Sequence, residues 1–224
     1  MKNKYALFPI TMAGLAFLCF LFLFINMAST VQPLWGRTMV LILPSMILSA
    51  VAVLALKGKL DRRKTEFVTC VLSIILVIAS FVYTIFLSIM TATTVTTDTK
   101  YYTRAYEQID DEEGVEGIFP DKVPEEAEDI AFRYNPQFLQ GGEWFELSYT
   151  TTADSLSDWC EFLKEKAEWI GSNEEWHQTN NWSFHDVDST RYHLYWDGGF
   201  NHGEMAYVLI DLSSNRITFH YEDW

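Results

Sequence analysis

The residues best suited to chemistry in this chain are its histidines, and all five lie in the second half of the sequence. They are His177, His185, His193, His202 and His220. No two of them have the i, i+4 spacing with which one helix face binds zinc, and H-E-x-x-H is absent. Phosphate-binding glycine loops, dinucleotide fingerprints and the G-x-S-x-G serine motif are absent as well. The sequence therefore predicts no metal site, no cofactor and no catalytic residue.

Carboxylates are abundant in the second half, but they follow no catalytic pattern. Residues 99–224 contain 27 Asp and Glu, so some pairs must be close in space, and closeness alone does not indicate a glycosidase. The run Asp110-Asp-Glu-Glu113 lacks the alternating acids and the glycine of an EF-hand loop, which favours a solvated linker. A cell-envelope hydrolase acting on sugar or peptide polymers stays open as an alternative, without assigned residues.

Tryptophan offers a second kind of chemistry, because its flat ring stacks on sugars and other ligands. Trp176 and Trp182 flank the polar segment His177-Gln-Thr-Asn-Asn181. We nominate Trp176, His177 and Trp182 as a ligand-binding loop. Packing of both indoles in the core or at its rim is the alternative.

The last strands predict a further candidate surface, because alternate side chains of a meander fall on opposite faces. One face is apolar and suited to a helix: Tyr192, Leu194, Trp196, Val208, Ile210, Leu212, Ile217, Phe219 and Tyr221. The other carries His193, Tyr195, Tyr207, Thr218 and His220, and no lysine. We interpret this second face as a partner-binding surface, since exposed aromatic patches mark interaction sites. Its histidines would make binding change near pH ~6.5. The alternative is that this face is covered, either by a stalk within residues 97–120 or by the first strand, at about residues 129–134.

The elements that position these residues predict an α+β domain. Strands are expected at about 129–134, 144–150, 182–187, 191–196, 204–212 and 216–222. A helix is expected from Thr152 or Asp154 to about Trp169, and the order predicts a mainly antiparallel sheet packed on one helix. Cys160 is the one cysteine in this half, so no disulfide holds the domain. Residues 110–224 are therefore expected to fold on their own.

The first half of the chain has a different character. Residues 1–98 contain eight Lys and Arg against three acids, and residues 99–224 contain eight against 27, so the net charges are +5 and −19. Three runs without Asp, Glu, Lys, Arg or His, at about 6–27, 39–56 and 67–92, predict an α-helical membrane region of three spans. The acidic half would repel phosphate, which excludes a nucleic-acid partner.

Small hydroxyl residues mark one face of the third run. They are Thr69, Ser73, Ser80, Thr84, Ser88 and Thr91. At 100° per residue all six fall on one side of a helix. Helix packing is the favoured interpretation, because small residues let helix backbones approach in a membrane. A polar pathway is the alternative.

The distribution of Lys and Arg predicts the orientation of the spans. The segment 57–64 carries five cations, whereas Arg37 alone lies between the first two runs. With Lys2 and Lys4, this predicts a multi-pass protein, in the plasma membrane, with a cytoplasmic N-terminus and an external C-terminal domain. The predicted divisions are a three-span region, a stalk with an acidic linker and an extracytoplasmic α+β domain, at 1–96, 97–120 and 121–224.

Together these features predict a membrane-anchored extracytoplasmic binding or interaction module with no catalysis of its own. It would act as a sensor or an accessory subunit, with the lipid bilayer and another membrane or envelope protein as partners. The hydrolase alternative requires a carboxyl pair beneath a groove near Trp176 and Trp182. A small transporter subunit, the further alternative, requires a water-filled polar cavity between the spans.

Overall fold

The computed structural model describes residues 4–137, 142–180, 189–199 and 203–224, with the backbone alone for residues 177–180. The chain divides into two compact units, residues 1–91 and 92–224. Among the described residues, three helices are long and apolar enough to cross a membrane: Lys4–Met27, Trp35–Leu56 and Arg62–Thr93. The three apolar runs are thus confirmed as helices.

The three candidate spans are built from the following helices. The first is a short 3-10 turn followed by α1 (Leu7–Met27), and the third is α4 (Arg62–Thr93). The second begins with α2 (Trp35–Thr38) and a 3-10 turn (Met39–Ile42), and continues as α3 (Leu43–Leu56). Pro44 lies in the first turn of α3, where its missing N–H breaks no helical hydrogen bond.

The hydroxyl stripe of α4 packs against its neighbours over part of its length. Thr69 and Ser73 are buried, and Ser80 and Thr84 line a cavity of about 440 Å³ between the spans. The remaining lining of that cavity is almost entirely apolar. Ser88 is exposed and donates to the carbonyl of Thr84. The packing interpretation therefore holds for the first part of the stripe.

The second unit is built on an antiparallel sheet. Its strands in the described residues are β1 (Glu128–Asn135), β2 (Trp144–Thr150), β3 (Trp169–Ser172), β4 (Thr190–Asp197), β5 (Glu204–Asp211) and β6 (Arg216–Asp223). Their order across the sheet is β1-β2-β6-β5-β4-β3, and every neighbouring pair is antiparallel. The helices are α5 (Tyr102–Tyr106), α6 (Ala153–Lys166) and α7 (Asn173–Asn180). The α+β class is confirmed.

Three elements, α5, β3 and α7, were not expected from the sequence. The predicted helix from Thr152 does begin there, because the Thr152 hydroxyl accepts a hydrogen bond from the Ser155 N–H. It ends at Lys166 rather than near Trp169, because Trp169 pairs with His193 in the sheet. The strand predicted at 182–187 lies outside the described residues.

The first face of the sheet, which includes Phe145, Leu147, Val208, Ile217 and Phe219, is the apolar core of this unit. Helix α6 packs on it through its own apolar stripe. The Trp159 ring of α6 lies 5.1 Å from the Phe219 ring. Leu156 and Leu163 of the same stripe are fully buried. This is the sheet-on-helix packing that the periodicity predicted.

Residues 97–120, interpreted from the sequence as a stalk and linker, also contribute to this core. Tyr102 is only 1% exposed, and its ring lies 5.4 Å from the rings of Phe132 and Phe145. Ile109 and Phe119 are buried as well. The segment packs because its apolar side chains recur at helical spacing and cover the part of the sheet that α6 leaves open.

Candidate functional site

The second face of the sheet carries most of the side chains nominated as a partner surface. His193 lies opposite Tyr207, Tyr207 lies opposite His220, and Thr218 lies one pair further along. Helix α7 covers part of this face, since the Trp176 ring stacks on His193 at 4.0 Å. The covering element is thus α7, and neither the stalk nor the first strand.

Tyr195 is the exception: it lies on the first face, so its predicted position on the second face is wrong. The register of β4 shifts between His193 and Tyr195, which makes Leu194 the extra residue of a β-bulge. Tyr195 then pairs with Ala206 on the first face. The same shift turns Trp196 to the second face, where its ring lies 5.8 Å from Trp176.

The bulge faces a glycine of the preceding segment. Gly114 has a φ of +78°, and a Cβ added there would lie 2.8 Å from the Cβ atoms of Tyr195 and Ala206. Only glycine therefore lets the 107–119 segment approach β4 this closely. This contact places Tyr195 beneath the segment that closes the first face.

The imidazoles are not exposed, contrary to the expectation of a solvent-facing surface. His193 and His220 are each 2% exposed, while Tyr207 and Thr218 are half-buried. A partner cannot touch either histidine without displacing the residues above it. Their role in binding stays a prediction.

Arg191 stands next to His193 on the same face, and the sequence analysis did not identify it. Ser189, Arg191 and His193 alternate along β4 and its first flanking residue, and all three are buried. Within the described part of the chain, the Ser189 Oγ, the Arg191 Nε and both ring nitrogens of His193 have no hydrogen-bond partner. Buried polar atoms are normally paired, so this row is unusual.

The Arg191 guanidinium is held mainly by aromatic rings. Its central carbon lies 3.5 Å from the Tyr207 ring centroid and 4.7 Å from that of Trp176. Nη1 donates to the Asn173 Oδ1 at 3.3 Å, and Nη2 lies 3.7 Å from the Met205 sulfur. No carboxylate of the described residues forms an ion pair with it. The Tyr207 side chain also contributes a hydrogen bond that supports the charged guanidinium, while Nε has no hydrogen-bond partner in the described residues.

Burial and nearby charge keep Arg191 and His193 in different charge states. Burial lowers the pKa of Arg191 to about 10, so the guanidinium remains protonated at neutral pH. Burial, and then the charge of Arg191, lower the pKa of His193 to about 3. His193 is therefore a neutral imidazole, and it cannot produce the expected change in binding near pH ~6.5.

His220 occupies the other part of the second face and has partners. Its ring lies 4.5 Å from Tyr207 and 5.0 Å from Trp144. Its Nδ1 lies 3.4 Å from Glu146, while its Nε2 lies 3.5 Å from Glu222 and has no hydrogen bond in the described residues. These contacts are those of a structural histidine that joins β6 to its neighbouring strands.

The nominated ligand loop is described only in part. Trp176 belongs to α7 and is half-buried, with the Trp169 ring at 5.3 Å. The side chain of His177 and the whole of Trp182 lie outside the described residues. Among the described rings, Trp176 joins Trp169, His193 and Trp196 above Arg191.

A group of carboxylates lies at the end of the first face. The pKa values of Glu112, Glu143 and Glu204 are raised by burial first and then by neighbouring acids, which include Asp223 for all three. The Tyr134 hydroxyl donates to Glu143 at 2.5 Å. No group of His, Cys, Asp and Glu in the described residues could hold a metal ion. These three carboxyl groups therefore keep their protons to a higher pH than ordinary glutamates do.

No family model, curated protein or solved structure matches the chain. The functional argument rests on the residues themselves.

Proposed function

We propose that the protein is a membrane-anchored binding module whose C-terminal domain lies outside the cytoplasm. It acts as a sensor or as an accessory subunit of a membrane complex. The basic segment 57–64 supports a cytoplasmic position between the second and third spans. The spans carry the domain, and their apolar runs contain no Asp, Glu, Lys, Arg or His.

One observation carries the binding role: the row of Ser189, Arg191 and His193 beneath α7. A buried cation without a carboxylate, next to an imidazole whose ring nitrogens have no hydrogen-bond partner in the described residues, costs desolvation free energy. A ligand or partner with an acceptor oxygen would bind the unpaired Nε of Arg191. Because Trp176 covers both side chains, binding includes a displacement of α7.

The alternatives receive less support. The described groups packed on Trp176 are aromatic rings and a guanidinium, where a hydrolase would need paired carboxylates. The cavity between the spans is lined almost entirely by apolar side chains, where a transporter would need water and polar groups. Binding without catalysis is the function that these surroundings favour.

The orientation is tested by cysteine labelling of intact cells. The native Cys19, Cys70 and Cys160 are first replaced by alanine, and single cysteines are then placed at Ser213 or Lys59, which are both exposed. An impermeant maleimide should label Ser213→Cys and leave Lys59→Cys unlabelled until the cells are lysed. The reverse pattern would overturn the external position of the domain.

The binding role is tested by comparing two arginine variants of the full-length protein. Arg191→Met removes the buried guanidinium, and Arg133→Met removes an exposed one that lies 5.0 Å from the Trp144 ring. Proteins and small molecules that co-purify in mild detergent are quantified by mass spectrometry. A companion retained by the wild type and Arg133→Met but lost from Arg191→Met, at equal thermal stability, supports the proposal. Identical companions in all three proteins would refute it.

A further inference from the structure

A cleft of about 540 Å³ opens between α6 and the segment 106–121. Its walls are aromatic, because Tyr106 and Phe119 line one side while Trp159 and Phe162 line the other. The α6 residues are close neighbours on one helix stripe, and the Trp159 and Phe162 rings meet edge to face at 5.7 Å. The volume is that of a typical small-molecule site.

The cleft also carries negative charge. Asp121 and Asp158 belong to its lining, and both are exposed. No cation of the described residues forms an ion pair with either carboxylate. The pKa of Tyr106 is raised by burial first and then by Asp110, Asp121 and Glu116, so further carboxylates lie within electrostatic reach.

One ring of the cleft lies near an ammonium group of the chain itself, which does not line the cleft and with which a ligand cation would compete. The Lys166 Nζ lies 5.9 Å from the centroid of the Phe162 ring. Aromatic faces attract cations through their quadrupoles, and an adjacent carboxylate adds direct attraction. A neutral apolar ligand would gain nothing from the two aspartates, and an anionic ligand would be repelled by them.

We infer that this cleft binds a small organic ammonium compound, with the cation between the Trp159 and Phe162 rings and the Asp158 carboxylate. A bare metal ion fits less well, since the walls are aromatic and the described residues contain no metal-ligand group. The site is separate from Arg191, and it goes beyond the proposed function without depending on the orientation of the domain.

The test uses a matched pair of probes on the full-length protein in detergent. Choline and 3,3-dimethylbutan-1-ol have nearly the same shape, but only choline is charged. Isothermal titration calorimetry should give a Kd for choline on the order of 1 mM, and binding of the neutral alcohol should be at least about fivefold weaker. Added salt should weaken choline binding.

Three variants locate the site. Asp158→Asn should weaken choline binding about fivefold, and Phe162→Leu about threefold, because one removes the charge and the other the ring face. Glu161→Gln removes a neighbouring exposed acid that does not line the cleft, and it should leave the Kd unchanged. The thermal melt of each variant verifies that the domain remains folded.

Several results would overturn the inference. Equal affinity for choline and the neutral alcohol would identify an apolar cleft without cation selectivity. Equal weakening by Asp158→Asn and Glu161→Gln would identify general attraction to an acidic domain. No heat of binding with choline at about 10 mM would exclude the site. None of these results bears on Arg191, whose co-purification test is independent.

Discussion

The two faces of the sheet are both buried near their centres, yet they hold very different side chains. On the first face, Ile217 and Phe219 are fully buried among apolar and aromatic neighbours. On the second face, Arg191 and His193 are buried to almost the same degree, and among the described residues the Arg191 Nε and the His193 ring nitrogens have no hydrogen-bond partner. The first arrangement accounts for stability, whereas the second includes the cost of desolvating a guanidinium and an imidazole.

The difference indicates where function lies. An apolar side chain of similar volume at position 191 would avoid the desolvation of a guanidinium, and such replacements are often neutral or stabilising. A guanidinium at position 191, under α7, therefore lowers the stability of the fold relative to an apolar side chain there. Sites at which a local rule is broken, such as a buried cation without a carboxylate, are expected positions of functional groups.

The largest effect is expected from truncating the segment that completes the first face. A fragment of residues 92–224 should unfold in one cooperative thermal transition. A fragment of residues 110–224 should show none, because it lacks Tyr102 and the fully buried Ile109. Near-UV circular dichroism measures both melts. Equal melting temperatures would show that the first face is complete without α5, as the sequence alone suggested.

A single substitution on each face gives the next contrast. Phe219→Ala on the first face should lower the free energy of unfolding by about 3–5 kcal/mol, because it leaves a cavity among aromatic rings. Thr218→Ala, one residue earlier and on the other face, should cost only about 1 kcal/mol, through loss of a hydrogen bond to Ser148. Chemical denaturation of the full-length protein measures both. Similar losses would contradict the division of roles.

Acid should destabilise the second face through His193. Its pKa is lowered to about 3, so between that value and its ordinary value of 6.5 the unfolded chain binds the proton and the folded chain does not. Stability should therefore fall as pH drops through this window, by about 2 kcal/mol at pH ~5 from this residue. His193→Phe should remove that contribution. If His193→Phe lost as much stability in acid as the wild type does, His193 would not be the cause of the loss.

The carboxylates of the first face should respond to pH in the opposite direction. Because burial raises the pKa of Glu143 above its ordinary 4.5, the folded state holds the proton more tightly than the unfolded state. Stability associated with Glu143 should fall as pH rises through the raised pKa. Glu143→Gln should then raise the melting temperature by a few degrees at pH ~8, with no difference below pH ~4.5. Glu165→Gln, an exposed acid of α6, is the control.

The sequence predicted what local periodicity determines. The spans, β2 and the start of α6 at Thr152 follow from apolar runs, alternation and a capping residue. It did not predict β3, because Trp169 and Ile170 also fit the helical spacing of α6. Pairing with β4 decides their conformation, and that contact is not local.

The candidate site depends on two features that alternation does not contain. Strict alternation assigned Tyr195 to the second face, and the bulge at Leu194 reverses that assignment. Arg191 lies two residues before His193 and therefore points to the same face of β4. A single cation on a strand whose two faces are otherwise apolar or aromatic was the sequence signal for it. The cover provided by α7 is a tertiary contact and had no local signal.

The most direct test of the functional role of the second face is the thermal stability of Arg191→Met, measured beside its co-purification. Methionine preserves much of the volume and can pack on the Tyr207 ring. We expect a melting temperature equal to or slightly above that of the wild type, together with loss of the bound companion. A melting temperature lower by many degrees would contradict this view, because it would show that the guanidinium stabilises the fold.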